Sequence, residues 1–343
     1  MGQMLSEPVT NKESASVADE QFLVASSCMQ GWRISMEDAH THILSLPEDP
    51  KCSFFAVYDG HGGQKTSQYA GINLHKSILK QKEFAEGGIK EAIEKGFLNI
   101  DEQMKEDEDM KRDVSGSTAI VVLIKDNVIY CGNVGDSRAV VSVNGEAVPL
   151  SYDHKPAEEN ESKRIVEAGG WVEFNRVNGN LALSRALGDF MYKRNADKPA
   201  EQQIVTSFPD VKIEEITQDH EFVVIACDGI WDVLSNQEVV DFVRERFATG
   251  SDPQIICEEL LNKCLSPDCQ SAGLGCDNMT VVIIGLLQGE PQEKLFGKCS
   301  RPSNVTQVDK LDNQVDDNNT VKVETASDVE DRAPENFTAS TDN

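Results

Sequence analysis

The chain has 343 residues, 39% of them hydrophobic, which is enough for one large domain or two ordinary ones. Its 59 acidic residues outnumber 32 basic residues, and the formal charge of −27 opposes non-specific binding to nucleic acid. No apolar run approaches the roughly 18 residues of a membrane span, and the N-terminus lacks the apolar core of a signal peptide. We therefore expect a soluble intracellular protein, located in the cytoplasm and also in the nucleus, and we expect it to be a monomer.

The N-terminal segment, residues 1–21, is polar and without periodicity, and we expect it to be flexible. It begins with Met1 and Gly2 and has Ser6 at the position that N-myristoylation requires, although so short a motif also occurs by chance. Residues 2–20 contain four acidic residues and one lysine, so no polybasic anchor supports a lipid. We predict at most reversible membrane contact through a myristoylated Gly2.

Short β-rich runs and tight turns follow. The Asn144-Gly145 pair between two apolar runs predicts a hairpin, and residues 125–127 predict another short connection. Such local hairpins favour antiparallel sheets. The runs that we predict as strands are 53–58, 117–124, 128–131, 139–143, 221–226 and 280–287.

Helical periodicity is clearest in a row of apolar residues with spacings of three or four, namely Ile89, Ile93, Phe97, Ile100 and Met104. Further helices are predicted over about 64–80, 158–168, 236–248 and 253–265, with Asn236 and Glu238 near the start of one of them. Strands and helices mix without strict alternation. This pattern predicts an α+β fold built on antiparallel sheets.

The nine cysteines are odd in number and include no Cys-x-x-Cys pair, and several lie in apolar runs. These features indicate reduced thiols in an intracellular protein.

The most informative pattern is an aspartate beside an apolar run, repeated four times. Asp59, Asp136 and Asp228 each follow such a run, and Asp277 precedes one. Antiparallel neighbours would bring the four carboxylates to one sheet edge, where they would repel one another unless a cation neutralised them. Mg²⁺ or Mn²⁺ suits this oxygen-only set, whereas no Cys/His group has the spacing of a zinc site. One Asp-Gly pair alone would indicate only a turn.

A second cluster places Arg33 and Glu37 four residues apart. It is either an exposed ion pair on a helix or a phosphate-binding arginine beside a further metal ligand. Enzymes with a protein nucleophile are not indicated. The Cys and Arg spacings do not form a cysteine-phosphatase loop, and the Gly-x-Ser-x-Gly, Walker and Rossmann patterns are missing from the sequence. Metal-activated water is therefore the leading candidate for the nucleophile.

Eight motifs occur in an order that resembles the metal-dependent protein phosphatases of type 2C (PPM family), over roughly residues 22–288. They are Arg33 with Met36-Glu37-Asp38, Tyr58-Asp59-Gly60-His61-Gly62-Gly63, Ser115-Gly116-Ser117-Thr118, Gly135-Asp136-Ser137-Arg138, Asp153-His154-Lys155-Pro156, Leu183-Ser184-Arg185-Ala186-Leu187-Gly188-Asp189, Cys227-Asp228-Gly229-Ile230-Trp231-Asp232 and Asp277-Asn278-Met279-Thr280.

The resemblance implies a β-sandwich of two antiparallel sheets flanked by α-helices. It places the catalytic domain at 22–288, with a variable flap at about 153–200 near the cleft. Residues 289–343 are acidic and short of apolar periodicity. We expect them to be a disordered tail, without the helical extension of mammalian relatives.

The resemblance also implies a dinuclear Mn²⁺ or Mg²⁺ site. Asp59 would bridge both ions, Asp228 and Asp277 would complete one of them, and Glu37 with the Gly60 carbonyl would hold the other. A weaker third ion would take Asp136, Asp228 and Asp232.

The reaction implied by the resemblance is one-step hydrolysis of phosphoserine or phosphothreonine in proteins. Arg33 would hold the phosphate, His61 would act as general acid, and Arg185 would be a second phosphate or peptide contact. Two alternatives stay open: a non-catalytic binding protein that keeps this fold, and a metal-dependent hydrolase for small phosphate esters.

Overall fold

The computed structural model describes residues 4–269 and 273–302. Within them the α-helices are α1 (Lys65–Leu79), α2 (Lys82–Ala85), α3 (Ile89–Glu106), α4 (Glu159–Glu167), α5 (Asp228–Trp231), α6 (Asn236–Ala248), α7 (Pro253–Cys264) and α8 (Gln292–Cys299). Two short 3₁₀ turns lie at Phe190–Tyr192 and Ala200–Gln202. Each helix predicted from periodicity is confirmed to within two residues. No helix in these ranges has both the length and the hydropathy needed to cross a membrane.

The strands of the described residues are β1 (Met4–Ala18), β2 (Phe22–Arg33), β3 (Ala39–Ile43), β4 (Cys52–Tyr58), β5 (Gly60–His61), β6 (Gly116–Ser117), β7 (Ala119–Lys125), β8 (Val128–Val134), β9 (Arg138–Val143), β10 (Glu146–Pro149), β11 (Val172–Glu173), β12 (Arg176–Val177), β13 (Leu187–Gly188), β14 (Asp210–Glu215), β15 (His220–Ala226) and β16 (Met279–Leu286). They form a six-stranded sheet in the order β1-β2-β16-β15-β9-β10 and a five-stranded sheet in the order β14-β8-β7-β4-β3. Two small sheets are β13-β6-β5 and β11-β12. All pairs of neighbouring strands are antiparallel, as predicted.

The two large sheets pack face to face, and helices cover both outer faces. Strand β4 shows how one run of sequence serves two layers. Phe55 and Val57 join the core between the sheets, whereas Phe54, Ala56 and Tyr58 join the core beneath α1 and α3. Because β4 is buried on both faces, its sequence is a continuous apolar run. The predicted α+β sandwich is confirmed.

Both predicted hairpin connections are present. Asn144 and Gly145 have φ angles of 50° and 82° between β9 and β10, and Asp126 and Asn127 have φ angles of 48° and 65° between β7 and β8. Positive φ at both central residues is what a tight two-residue hairpin turn requires.

The predicted flexible N-terminal segment is wrong for most of its length, because β1 pairs with β2 from Met4, opposite Arg33, to Ala18, opposite Leu23. As the edge of its sheet, β1 has no buried residue. Its backbone hydrogen bonds hold it in place, so its side chains need no apolar alternation. Residues 1–3, which include Gly2, lie outside the described residues.

The start of the predicted disordered tail is also corrected. Helix α8 packs Leu295 and Cys299 into the core on the outer face of the six-stranded sheet. Two buried side chains are too few to produce a clear helical pattern in the sequence. Residues 303–343 lie outside the described residues.

The prediction of reduced thiols fails for one pair of cysteines. Cys269 and Cys276 form a disulfide, while the other seven cysteines are free and buried. The backbone N–H of Ser266 donates to the carbonyl of Gly275 at 2.9 Å, which narrows the loop between α7 and β16 and brings the two cysteines together. No sequence spacing rule indicates such a pair.

Candidate metal centre and active site

A cavity of about 570 Å³ opens where strands of both large sheets end. Asp59 follows β4, Asp136 follows β8, Asp228 follows β15 and Asp277 precedes β16, and all four line this cavity. The structure therefore brings together the four aspartates that the strand pattern singled out.

The carboxylates of this cluster destabilise one another's charged forms. Burial raises the pKa of Asp59 well above its ordinary value, and the charge of Asp228 raises it further. Burial and the charge of Asp136 do the same to the pKa of Asp228. Burial also raises the pKa of Asp277, against the opposing effect of Arg33. A divalent cation would relieve this repulsion.

Asp38 is a member of the cluster to which the sequence motifs assigned no role. Thr280 donates a hydrogen bond to its Oδ2 atom at 2.6 Å, while its buried Oδ1 atom has no hydrogen-bond partner. Burial raises the pKa of Asp38 to about 7. One ligand atom each from Asp38, Asp59 and Cys227 lie within 4.8 Å of one another. An unpartnered carboxylate oxygen among mutually repelling carboxylates fits a hard cation.

Asp59 is held at the end of β4 by two neighbouring motifs. Its backbone N–H donates to Thr118 Oγ1 at 3.1 Å, and the Thr118 N–H donates to the Asp59 carbonyl at 2.9 Å. Thr118 Oγ1 also lies 2.7 Å from Ser137 Oγ. The Ser-Gly-Ser-Thr and Gly-Asp-Ser-Arg motifs thus position this aspartate.

Arg33 and Glu37 do not form an exposed pair on a helix, because β2 ends at Arg33 and no helix follows it. Arg33 forms an ion pair with Asp277 instead. Glu37 accepts hydrogen bonds from Ser35 Oγ at 2.8 Å and from the Gly63 N–H at 3.1 Å. Arg33 and Glu37 both line the cavity. The interpretation as an exposed pair on a helix is therefore wrong, and the phosphate-binding arginine beside a metal ligand stays a prediction.

Asn278 fastens the loop of Glu37 to the start of β16. Its Oδ1 atom accepts from the Glu37 N–H at 3.0 Å, and its Nδ2 atom donates to the Ser35 carbonyl at 2.9 Å. Gly60 packs against the same loop, since a Cβ atom there would collide with the Glu37 carbonyl oxygen. Gly60 therefore cannot be replaced by a larger residue without moving Glu37.

His61 forms an ion pair with Asp189, a residue that lies in one of the sequence motifs but to which the sequence analysis assigned no role. Its Nε2 atom lies 2.6 Å from Oδ2 of the buried Asp189, across the small β5-β6-β13 sheet. Gly116 of β6 permits this contact, because a Cβ atom there would collide with both side chains. Burial disfavours the imidazolium, but the charge and hydrogen bond of Asp189 outweigh it and raise the pKa of His61. No spacing in the sequence indicates this pair.

The residues of the expected third metal site act on one another, since burial and then the charges of neighbours that include Asp136 and Asp232 raise the pKa of Asp228, but only two of the three line the cavity. Asp136 and Asp228 line the cavity, and Asp136 forms an ion pair with Lys155. Asp232 is exposed at the end of α5 and is not among the described residues that line the cavity. The third site stays a prediction.

Arg185 departs from the expectation of a phosphate or peptide contact. Its guanidinium forms ion pairs with Glu161 at 2.7 Å and with Asp210 at 2.8 Å, and its side chain is 13% exposed. It is not among the described residues that line the cavity. The motif that contains it positions Asp189, while Arg185 itself connects α4 to β14.

Comparisons with known proteins agree with this architecture. Residues 22–273 match the family model "Protein phosphatase 2C". The chain is 70% identical over 312 residues to a probable protein phosphatase 2C of Caenorhabditis elegans, covering 91% of this chain and 88% of that one. It is 51% identical to protein phosphatase 2C homolog 3 of Schizosaccharomyces pombe, covering 88% and 73% respectively.

Solved structures give the same result for the fold. A crystal structure of a phosphatase from Toxoplasma gondii superposes with a TM-score of 0.68 at 27% identity, covering 80% of this chain and 95% of that one. A structure described as a sex-determining protein of C. elegans superposes with a TM-score of 0.69 at 27% identity, covering 82% and 68%. The chain belongs to the protein phosphatase 2C family, whose members are metal-dependent hydrolases acting on phosphoproteins.

Proposed function

We propose that this phosphatase hydrolyses phosphoserine and phosphothreonine in proteins by direct displacement with water at the cavity, with two Mn²⁺ or Mg²⁺ ions as cofactors. The observation that carries the proposal is the cluster of aspartates with raised pKa values that lines one cavity together with Arg33 and His61.

The residues present fit a two-ion site. Asp59, at the centre of the mutual repulsion, would bind both ions. Asp228 and Asp277 would complete one site, and Glu37 with the Gly60 carbonyl the other. When bound, the ions would supply an activated water and stabilise negative charge on the phosphoryl oxygens. The chain's own contribution is to fix these ligands through Thr118, Ser137 and Asn278.

Arg33 and His61 act on the substrate. Arg33, whose side chain is 37% exposed, lines the cavity, and its guanidinium would hold the phosphate through paired hydrogen bonds. His61 would donate a proton from its ring to the leaving serine or threonine oxygen, and Asp189 keeps the ring in its charged form to higher pH.

The test uses the purified full chain with a phosphothreonine peptide and with a small aryl phosphate, each with Mn²⁺ or with a chelator. We expect peptide turnover with Mn²⁺, its loss with the chelator, and its loss in Asp228→Asn. Asp241→Asn on the exposed face of α6 is the matched control and should retain activity. Calorimetry with Mn²⁺ on the same variants should show binding weakened only in Asp228→Asn.

The two alternatives predict other results. A binding protein would bind Mn²⁺ and the peptide without turnover, and a hydrolase for small esters would prefer the aryl phosphate. Turnover that survives the chelator or Asp228→Asn would exclude the two-ion mechanism.

We further propose that the protein is a monomer located in the cytoplasm and also in the nucleus, and that myristoylation of Gly2 gives it reversible membrane contact. Only the sequence motif at Gly2 and Ser6 supports the lipid. Mass measurement of the protein produced with an N-myristoyltransferase, beside Gly2→Ala, tests it. An acyl mass missing from the unaltered protein would refute it.

A further inference from the structure

Phe174 occupies a position that neither folding nor backbone preference explains. It is 90% exposed, more than any other large apolar side chain among the described residues, so it adds little to the core. Its φ angle is 49°, in the left-handed region that bulky residues rarely adopt. Asn175 follows it with φ 56°, and the two form the tight turn of the β11-β12 hairpin. Asparagine, aspartate or glycine would be the ordinary residue at both positions.

The hairpin that carries Phe174 belongs to the wall of the active-site cavity. Arg176, two residues after Phe174, lines the cavity and donates to the Asn180 carbonyl at 2.6 Å; Asn180 lines it too. Val172 and Val177 attach the hairpin to a small core around Ile165 and Tyr192. The base of the hairpin is thus anchored in a core, while Phe174 in its turn is exposed.

The rim of the same cavity is unusually apolar for so acidic a protein. Ile34, Val114 and Met191 line the cavity and are 58%, 71% and 55% exposed. A phosphoprotein segment whose phosphate is at Arg33 must pass over this rim. Phe174 does not line the cavity itself, but it lies in the turn of the same hairpin as Arg176, two residues before it, and Arg176 does line the cavity.

We propose that Phe174 is a specificity-determining residue that packs on an apolar side chain of the substrate protein, close in sequence to the phosphoresidue. The inference rests on the proposed function and deepens it by giving the chemistry of the substrate beside its phosphate. An exposed aromatic residue held in a strained backbone conformation, on a hairpin that contributes to the wall of an active site, costs stability, and a role in binding would explain why it is present.

The test is a set of phosphothreonine peptides that are otherwise polar and place one leucine at successive positions on either side of the phosphoresidue. We expect one position to raise kcat/KM about tenfold over the leucine-free peptide, as for a well-packed aromatic contact. Phe174→Asn should abolish this gain, while its kcat/KM for the leucine-free peptide and for an aryl phosphate stays within twofold. Because asparagine accepts the left-handed conformation, the Tm of this variant should not fall.

The matched control is Ile255→Gln, which removes a half-exposed apolar side chain from α7, outside the cavity lining among the described residues, and should keep the leucine gain. A second readout is the binding of non-hydrolysable phosphonate peptides by fluorescence anisotropy with Mn²⁺, which requires no turnover. If peptides bind with a Phe174-dependent leucine gain but are not hydrolysed, the proposed function fails and this inference holds. A gain that persists in Phe174→Asn, or no gain at any position, overturns the inference.

Discussion

The Nε2 atom of His61 lies 2.6 Å from the Oδ2 atom of Asp189, although 128 positions separate the two residues in the chain. Burial alone would lower the pKa of the imidazole, and Asp189 reverses that effect by its charge and its hydrogen bond. The protonation of the proposed general acid is therefore set by a strand end far from the Asp59 motif.

We expect Asp189→Asn to shift the pH profile of kcat. The acid form of His61 is present below its raised pKa and is lost as the pH rises through it. Without the carboxylate charge this pKa falls, so the alkaline limb of kcat for a phosphopeptide should move to lower pH, with a loss on the order of tenfold above pH 8. An unchanged alkaline limb, measured beside Asp241→Asn, would contradict the role of Asp189.

Replacement of Arg33 tests the geometry of phosphate binding. Arg33→Ala removes charge-assisted hydrogen bonds and should lower kcat/KM for a phosphopeptide about 10²-fold. Arg33→Lys keeps the charge without the planar fork, so it should restore only part of the activity. Steady-state kinetics measure both. Full recovery in Arg33→Lys would show that charge alone is required.

Replacement of Arg185 distinguishes its observed place from the expected substrate contact. Arg185→Ala leaves Glu161 with Arg164 as its remaining ion-pair partner, and we expect urea unfolding to show a loss of about 3 kcal/mol. The KM of the folded variant for peptide should stay within twofold. Arg246→Ala, which breaks a more exposed pair with Glu259, should cost less than about 1 kcal/mol. A raised KM at unchanged stability would return Arg185 to the substrate site.

The same ion network predicts how stability falls in acid. Burial alone would raise the pKa of Glu161, but hydrogen bonds and charges from Arg185 and Arg164 outweigh it and lower this pKa to about 2. The stabilisation is therefore present above the unfolded pKa and is lost as the pH falls from about 5 toward 2. The free energy of unfolding should fall less steeply in Glu161→Gln over this range. Equal slopes for the two proteins would contradict the network's contribution.

Deletion of residues 2–18 tests the N-terminal strand. The deletion leaves one edge of β2 unpaired and uncovers the buried Ser27, which lies 2.9 Å from Ser14 through their hydroxyl oxygens. We expect a Tm lower by several degrees and concentration-dependent aggregation, measured by calorimetry and light scattering. A monomer with unchanged Tm would show that β1 does not stabilise the sheet.

The elements that can be predicted from the sequence are those in which burial imposes a pattern of apolar side chains. Strands β4, β7 and β15 are apolar because they are buried on both faces, and the periodicity of α3 follows from its single buried face. Strand β2 was not predicted, since the fully buried Ser26 and Ser27 interrupt its apolar run. Strand β1 was not predicted because it is held by backbone hydrogen bonds at the edge of the sheet, and such bonds do not require a pattern of apolar side chains.

The same distinction applies to the site. Asp59 and Asp228 could be predicted because each directly follows an apolar run, and such a run is visible in the local sequence. The roles of Asp38 and Asp189 depend on what lies opposite them across the fold: Thr280 and Cys227 for Asp38, and His61 for Asp189. A sequence motif does not show which of its residues face the cavity. For this reason Arg185 was predicted to contact the substrate, although it faces Glu161.

The pairing of β2 with β16 has a consequence for the order of folding. The five-stranded sheet uses residues between Ala39 and Glu215 and can form before the C-terminal third of the chain has been synthesised. Strand β2 can pair with β1 at once, but its other edge must wait for Met279–Leu286, because Cys28 pairs with Thr280. Arg33 and Asp277 meet only when this pairing closes. Most of the chain must therefore be synthesised before the active site can form. A chain that stops before β16 would have no phosphatase activity.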